Sequence, residues 1–270
     1  MTPRPEPAQG NIVGDGGAGG FGTQMLGSGR SSFNTPNPND YADLVIYLVH
    51  GTWGSPEEHW SEEFIRQLLM PEFNIPRGNI NTPEWSGNLS RSDRGHYGRQ
   101  IAREIDERYS GTDTTILLVG YSHGGNVNKR ALNWLNFIGF DLDNTFLINI
   151  ATPNRTDYRL GARTRDNMNY QHINVSNNND FIQTLGARPF TADGGIVFIE
   201  GWFGEKTPWF MGPGRYARYA VNIPVGEYLP SAVFNFLALG IPVHSAMHGN
   251  IDVWVRYILP AINELKGGCE

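Results

Sequence analysis

From residue 44 onward, short runs of apolar, mostly β-favouring residues alternate with longer segments whose apolar positions recur every three or four residues. The runs LVIYLV (44–49), TTILLV (114–119), TFLINI (145–150) and HINVS (172–176) are mostly continuous rather than alternating. A strand with one wet face alternates apolar and polar residues. A continuous run predicts a strand buried on both faces, as in a parallel sheet. Between the runs, Tyr97, Ile101, Ile105 and Tyr109 form an i+4 stripe, and Val127, Ala131, Leu135 and Ile138 form another of similar spacing. Ser55-Pro56-Glu57-Glu58 reads as a capping box with proline at the first helical position, which predicts one helix running toward Leu69. A last helix is expected from near Ile251. Strands alternating with helices predict an open α/β sheet with right-handed crossovers, and no internal repeat is visible.

Residues 1–40 break this pattern. GDGGAGGFG and NTPNPND are rich in Gly, Pro, Asn and Asp, and such a segment buries too little apolar surface to offset its ordering entropy. It is expected to be a flexible arm or linker, with an α/β domain over 41–268. The full 270 residues, 39% hydrophobic and 18% charged, suffice for one large domain with a sizeable core. A net charge of -6 provides no broad basic field, so nucleic-acid binding is not expected. The single cysteine, Cys269, excludes an intrachain disulfide and a cysteine metal cluster. MTPRPEPAQG lacks the apolar core of a signal peptide, and the longest apolar runs are too short to span a bilayer. The expectation is a soluble chain whose compartment is open: cytoplasmic, or delivered as part of a larger secreted protein.

The first chemical signal is Gly120-x-Ser122-x-Gly124, directly after TTILLV and before the helical pattern GGNVNKRALNWLNF. Chance alone would give about 0.2 such motifs in a chain of this composition, so the context has to decide. Strand, sharp turn and helix are the context in which a serine hydroxyl stands clear as a nucleophile. Such a hydroxyl needs a base, a carboxylate to orient that base, and donors for the developing oxyanion. HGTWGS follows the first strand, so Thr52 N–H is one candidate donor and His123 N–H, next to the serine, is the other.

Asp180 is the favoured acid, because HINVSNNND ends where a strand runs out at the carboxyl edge of the sheet. Asp193 is the runner-up, while Asp157 and Asp166 precede that strand and fall at the wrong edge. For the base, IPVHSAMHGN offers His244 and His248; His244 is favoured by its place at the start of the loop, with His248 as the alternative. The order Ser122, Asp180, His differs from both common protease orders. His50 reads as a structural residue bonding loop backbone, and His59, His96 and His172 as surface or strand positions. An i, i+4 histidine pair can bind zinc, but that motif needs a glutamate beside the first histidine, and Ser245 stands there. No metal and no cofactor are expected.

HGTWGS, WSGNLSRSDR, VGYSHGGN, INIATPN, NVSNNNDFIQ and HSAMHG together resemble landmarks of the α/β-hydrolase serine esterases and lipases, in a bacterial lipase-like branch. The resemblance covers roughly residues 44–265. It implies the α/β-hydrolase fold and a Ser-His-Asp esterase working through an acyl-enzyme, with Ser122, Asp180 and His244 at the matching positions. Family members commonly carry a lid before the acid loop. Here residues 151–171 are short, and the extra length follows Asp180 instead. That insertion holds Trp202, Phe203, Trp209, Phe210 and Met211. As a cap it would suit acyl chains, with Trp53, Trp209 and Phe210 as pocket candidates; if exposed it would contact a lipid surface. AVFNFLALGIPV, leading into His244, would form the opposite wall. The expected function is hydrolysis of small-molecule or lipid carboxylic esters. The alternatives are a phospholipase-type antibacterial effector with the same triad, and a non-catalytic binding protein on this fold.

Overall fold

The computed structural model describes residues 43–70, 75–154, 159–169, 171–177, 180, 220–225 and 244–267. The N-terminal arm, Asp157, Asp193, Trp202, Phe203, Trp209, Phe210, Met211 and AVFNFLALGIPV lie outside these residues.

Among the described residues, six parallel strands form one sheet, in the order β2-β1-β3-β4-β5-β6. They are β1 (Leu44–Val49), β2 (Ile80–Asn81), β3 (Thr115–Tyr121), β4 (Thr145–Ile150), β5 (His172–Ser176) and β6 (Val221–Pro224). Every residue of β1, β4 and β5 is buried, as their unbroken apolar runs require. Alternate side chains of these strands enter two separate cores. Leu44, Ile46, Leu48, Leu117, Val119 and Tyr121 pack on one face against Trp60, Phe64 and Trp254. Val45, Tyr47, Val49, Ile116 and Leu118 pack on the other against Ile101, Ile105, Val127, Ala131 and Leu135. Each fully buried large aliphatic side chain contributes about 1.5–3 kcal/mol, so this double-sided burial is what holds the sheet.

The second face is covered by α3 (Arg91–Tyr109), α4 (His123–Ile138) and α5 (Ala162–Asn167). On the first face lie α1 (Pro56–His59), α2 (Glu62–Leu68) and the C-terminal helix. The latter runs as α6 (Ile251–Val253), a π-helical turn (Trp254–Ile258) and α7 (Leu259–Gly267). No helix among the described residues is long and apolar enough to cross a membrane.

The capping box forms as expected: Glu58 N–H donates to Ser55 Oγ and Ser55 N–H to the Glu58 carboxylate. The single helix expected toward Leu69 does not. Trp60 leaves helical geometry at φ -117° and ψ 75°, and Ser61 caps a second helix by accepting from Phe64 N–H. Trp60 is buried, so packing its indole overrides helix continuity. The stripe on α4 also ends early, because Ile138 is 41% exposed while Val127, Ala131 and Leu135 are buried.

Strand order reverses between β1 and β3. At such a switch point the loops leaving the carboxyl ends of neighbouring strands part to opposite faces and open a crevice. Residues 50–54 and Ser122 leave those two strand ends.

Candidate active site

Ser122 joins β3 to α4 with φ 50° and ψ -127°. A non-glycine residue in such a region costs of order 1–3 kcal/mol and persists only where its surroundings enforce it. Ser122 N–H donates to the Ile150 carbonyl at 2.9 Å, and its own carbonyl accepts from Gly125 N–H at 3.2 Å. Glycine is needed on either side. A Cβ on Gly120 would lie 2.3 Å from Gly125 Cα, and one on Gly124 would lie 2.2 Å from the Val49 carbonyl oxygen. A serine at a helix N-cap ordinarily spends its hydroxyl on the first turn. Ser122 does not, so its hydroxyl is left for other chemistry.

The turn after β1 lies against this elbow. A Cβ on Gly51 would sit 2.9 Å from the Tyr121 ring and 3.1 Å from Ser122 Cβ. His50 is fully buried, and its Nδ1 bonds the Gly51 carbonyl at 2.9 Å, the backbone role expected for it. Burial holds its imidazole below the usual pKa, which favours the neutral ring. Thr52 follows, half-buried; Trp53 is 82% exposed beside the turn. His123 opens α4, where the first N–H groups lie outside the helix's own ladder. Its ring Nδ1 accepts from Asn126 Nδ2 at 3.3 Å, and Asn126 Nδ2 also reaches the Pro153 carbonyl at 3.2 Å. Behind Asn126, Lys129 donates to Asn126 Oδ1 and, at 2.7 Å, to Asn154 Oδ1. Complete burial pushes the Lys129 ammonium down to about 7.

Asp180 and His244 are brought together. His244 Nδ1–H donates to Asp180 Oδ2 at 2.8 Å, with His244 6% and Asp180 0% exposed. Asp180 N–H donates to the Asn177 carbonyl, which turns the chain at the end of β5. The Tyr121 ring, 5.0 Å from the His244 ring, holds the imidazole beside the elbow. Among the described residues no hydrogen bond joins His244 to Ser122, an arrangement that tightens in many hydrolytic sites only when substrate arrives.

His248 occupies a different place. Its ring stacks on Tyr121 at 4.0 Å and 21°, meets Trp60 edge-on at 5.4 Å, and its Nδ1 has no hydrogen-bond partner among the described residues. Burial, with His59 and His244 nearby, pushes its pKa down to about 3. His59 was expected at the surface or on a strand. It instead ends α1 half-buried, its ring 4.9 Å from Tyr121 and 5.5 Å from His248. As the last residue of α1 its ring packs onto Tyr121 and His248, while Glu57 and Glu58 of the same helix face solvent. His96 is exposed on α3, and His172 is buried in β5, where Nε2 accepts from Asn149 Nδ2 at 2.8 Å. Asp166 is exposed on α5, ahead of β5.

Tyr121 and Trp85 are the residues that sequence reasoning missed. Tyr121 lies inside the serine motif, but only tertiary packing reveals that its ring touches both loops of the site. An open groove of about 680 Å³ between α3 and α4, lined by Arg91, Arg99, Trp134 and Phe137, contains none of the candidate residues. It follows the outer faces of the helices and belongs to the surface. No protein-family model and no curated protein sequence matches this chain.

Proposed function

We propose that the protein is an α/β-hydrolase-type serine hydrolase that cleaves carboxylic esters through an acyl-enzyme on Ser122. The observation that supports this most is the 2.8 Å bond from His244 to Asp180, buried beside a strained serine whose hydroxyl caps no helix. The Asp180 carboxylate fixes the proton on Nδ1, so Nε2 carries the lone pair that accepts a proton. As Ser122 Oγ attacks the ester carbonyl, His244 Nε2 takes its proton and Asp180 stabilises the imidazolium. The oxyanion of the tetrahedral intermediate accepts from Thr52 N–H and His123 N–H; such donors are worth about 10²–10³ in rate each. Collapse breaks the ester C–O bond, and His244 returns the proton to the departing alkoxide. Water then attacks the acyl-Ser122 ester with His244 as base, releasing the carboxylic acid and restoring the serine. General acid–base transfer of this kind contributes about 10²–10⁴-fold.

Neither a metal nor a cofactor enters these steps. The substrate class is a small-molecule or lipid ester, and Trp53 offers an exposed apolar surface beside Thr52. Hydrolysis of nitrophenyl esters of graded acyl length tests the reading. Turnover that rises in kcat/KM beyond acetate supports an acyl-binding wall, at up to about 0.8 kcal/mol per buried CH₂. No hydrolysis of any ester in the series would remove the proposal.

A further inference from the structure

WSGNLSRSDR, a motif without a chemical role so far, lies beside the turn that carries Thr52. Trp85 is 6% exposed, and its indole N–H donates to the His50 carbonyl at 2.8 Å. Its backbone N–H reaches His50 Nε2 at a longer 3.4 Å. The Gly87 carbonyl accepts from Trp53 N–H at 3.0 Å. Gly87 itself stands at φ 64°, and a Cβ there would come 3.0 Å from Trp53 N, so only glycine makes this approach without strain.

These bonds fall on three successive peptide planes. The His50–Gly51 plane is held through the His50 carbonyl. The Thr52–Trp53 plane is held through Trp53 N–H, and φ at Trp53 is 58°. The plane between them contains the Gly51 carbonyl and Thr52 N–H, which point in opposite directions because a trans peptide is planar. His50 Nδ1–H holds that carbonyl at 2.9 Å, and the Trp85 N–H at Nε2 selects the tautomer that leaves the proton on Nδ1. The segment is itself fastened to the start of α3. Ser86 Oγ and Asn88 Nδ2 both donate to Asp93 Oδ2, at 2.9 and 3.0 Å.

We propose that Trp85–Gly87 is a positioning clamp that sets the direction of Thr52 N–H and so pre-forms half of the oxyanion hole. The proposal rests on the ester-hydrolase reading above. Trp85 and Gly87 touch no reacting atom; they act through the turn.

The test compares wild type, Trp85→Phe and Gly87→Ala. Trp85→Phe keeps a ring but removes the indole N–H; Gly87→Ala crowds Trp53 N. Active sites are titrated with a fluorophosphonate, and kcat and KM are measured on nitrophenyl butyrate. Affinity is measured for an alkyl boronic acid, whose tetrahedral adduct places an oxygen where the oxyanion forms. Both variants should lose about 10–100-fold in kcat per titrated site, with KM within about twofold and boronate affinity reduced in parallel. A merely structural role would reduce the number of titratable sites and leave turnover per site unchanged. Wild-type kcat per site and boronate affinity in either folded variant overturn the clamp while the hydrolase reading stands. A wild type that neither hydrolyses ester nor reacts with fluorophosphonate overturns both.

Discussion

His244 Nδ1 lies 2.8 Å from Asp180 Oδ2 across 64 residues of chain, with the carboxylate wholly removed from solvent. A buried carboxylate is costly without a partner, and the imidazole N–H is one such partner. Asp180→Asn keeps the shape but can present its amide N–H to the ring, which favours the tautomer with the proton on Nε2, where a base must be empty. Turnover should fall by about 10³–10⁴-fold at neutral pH, with the fold retained. Steady-state kinetics with circular dichroism check both halves of that expectation.

The two histidines of the same loop are distinguished by their surroundings. His244 faces Asp180, whereas His248 stacks on Tyr121 and meets Trp60. His244→Ala should lower kcat by about 10³-fold or more, and His248→Phe, which keeps an aromatic on Tyr121, by less than about 10-fold. The reverse ranking would transfer the base to His248.

His248 also sets an acid limit on stability. Its pKa is held at about 3 in the fold against an ordinary 6.5, so between these values the unfolded chain binds a proton that the folded chain refuses. Its contribution is therefore intact above pH 6.5 and is lost progressively as pH falls toward 3. The groups packed around it are His59 at the end of α1, Trp60, Tyr121 and His244, so no carboxylate in that set would welcome the proton. His172 titrates in the same direction, which makes the difference between proteins the useful quantity. Denaturant unfolding at pH 7 and pH 4.5 should show a smaller loss for His248→Phe than for wild type. An equal loss would mean that His248 is not the group responsible.

Much of the architecture was legible in the chain because double-sided burial writes itself as continuous apolar runs. Strands 44–49, 145–150 and 172–176 fall where the runs do, and the run at 114–119 gives β3, which starts at Thr115 and extends through Gly120 to Tyr121. β2 left no pattern, since a two-residue strand is defined by pairing with β1 rather than by its own composition. The break at Trp60 was hidden for a similar reason: an indole seeking the core outweighs a helix-favouring neighbourhood. Around Ser122 the glycines were informative because a Cβ at either position would strike backbone. The contacts of Tyr121, His59 and Trp85 join segments distant in sequence, and nothing local encodes them.

The role of Ser122 as nucleophile can be measured without assuming a substrate. The purified protein is treated with a fluorophosphonate, intact mass is recorded, and the modified peptide is sequenced. Attack by Ser122 Oγ on phosphorus expels fluoride and leaves a stable phosphonyl-serine. One adduct per chain is expected, located on Ser122, and none in Ser122→Ala. An adduct on another serine, or an unmodified wild-type chain under conditions that label a known serine hydrolase, would contradict it.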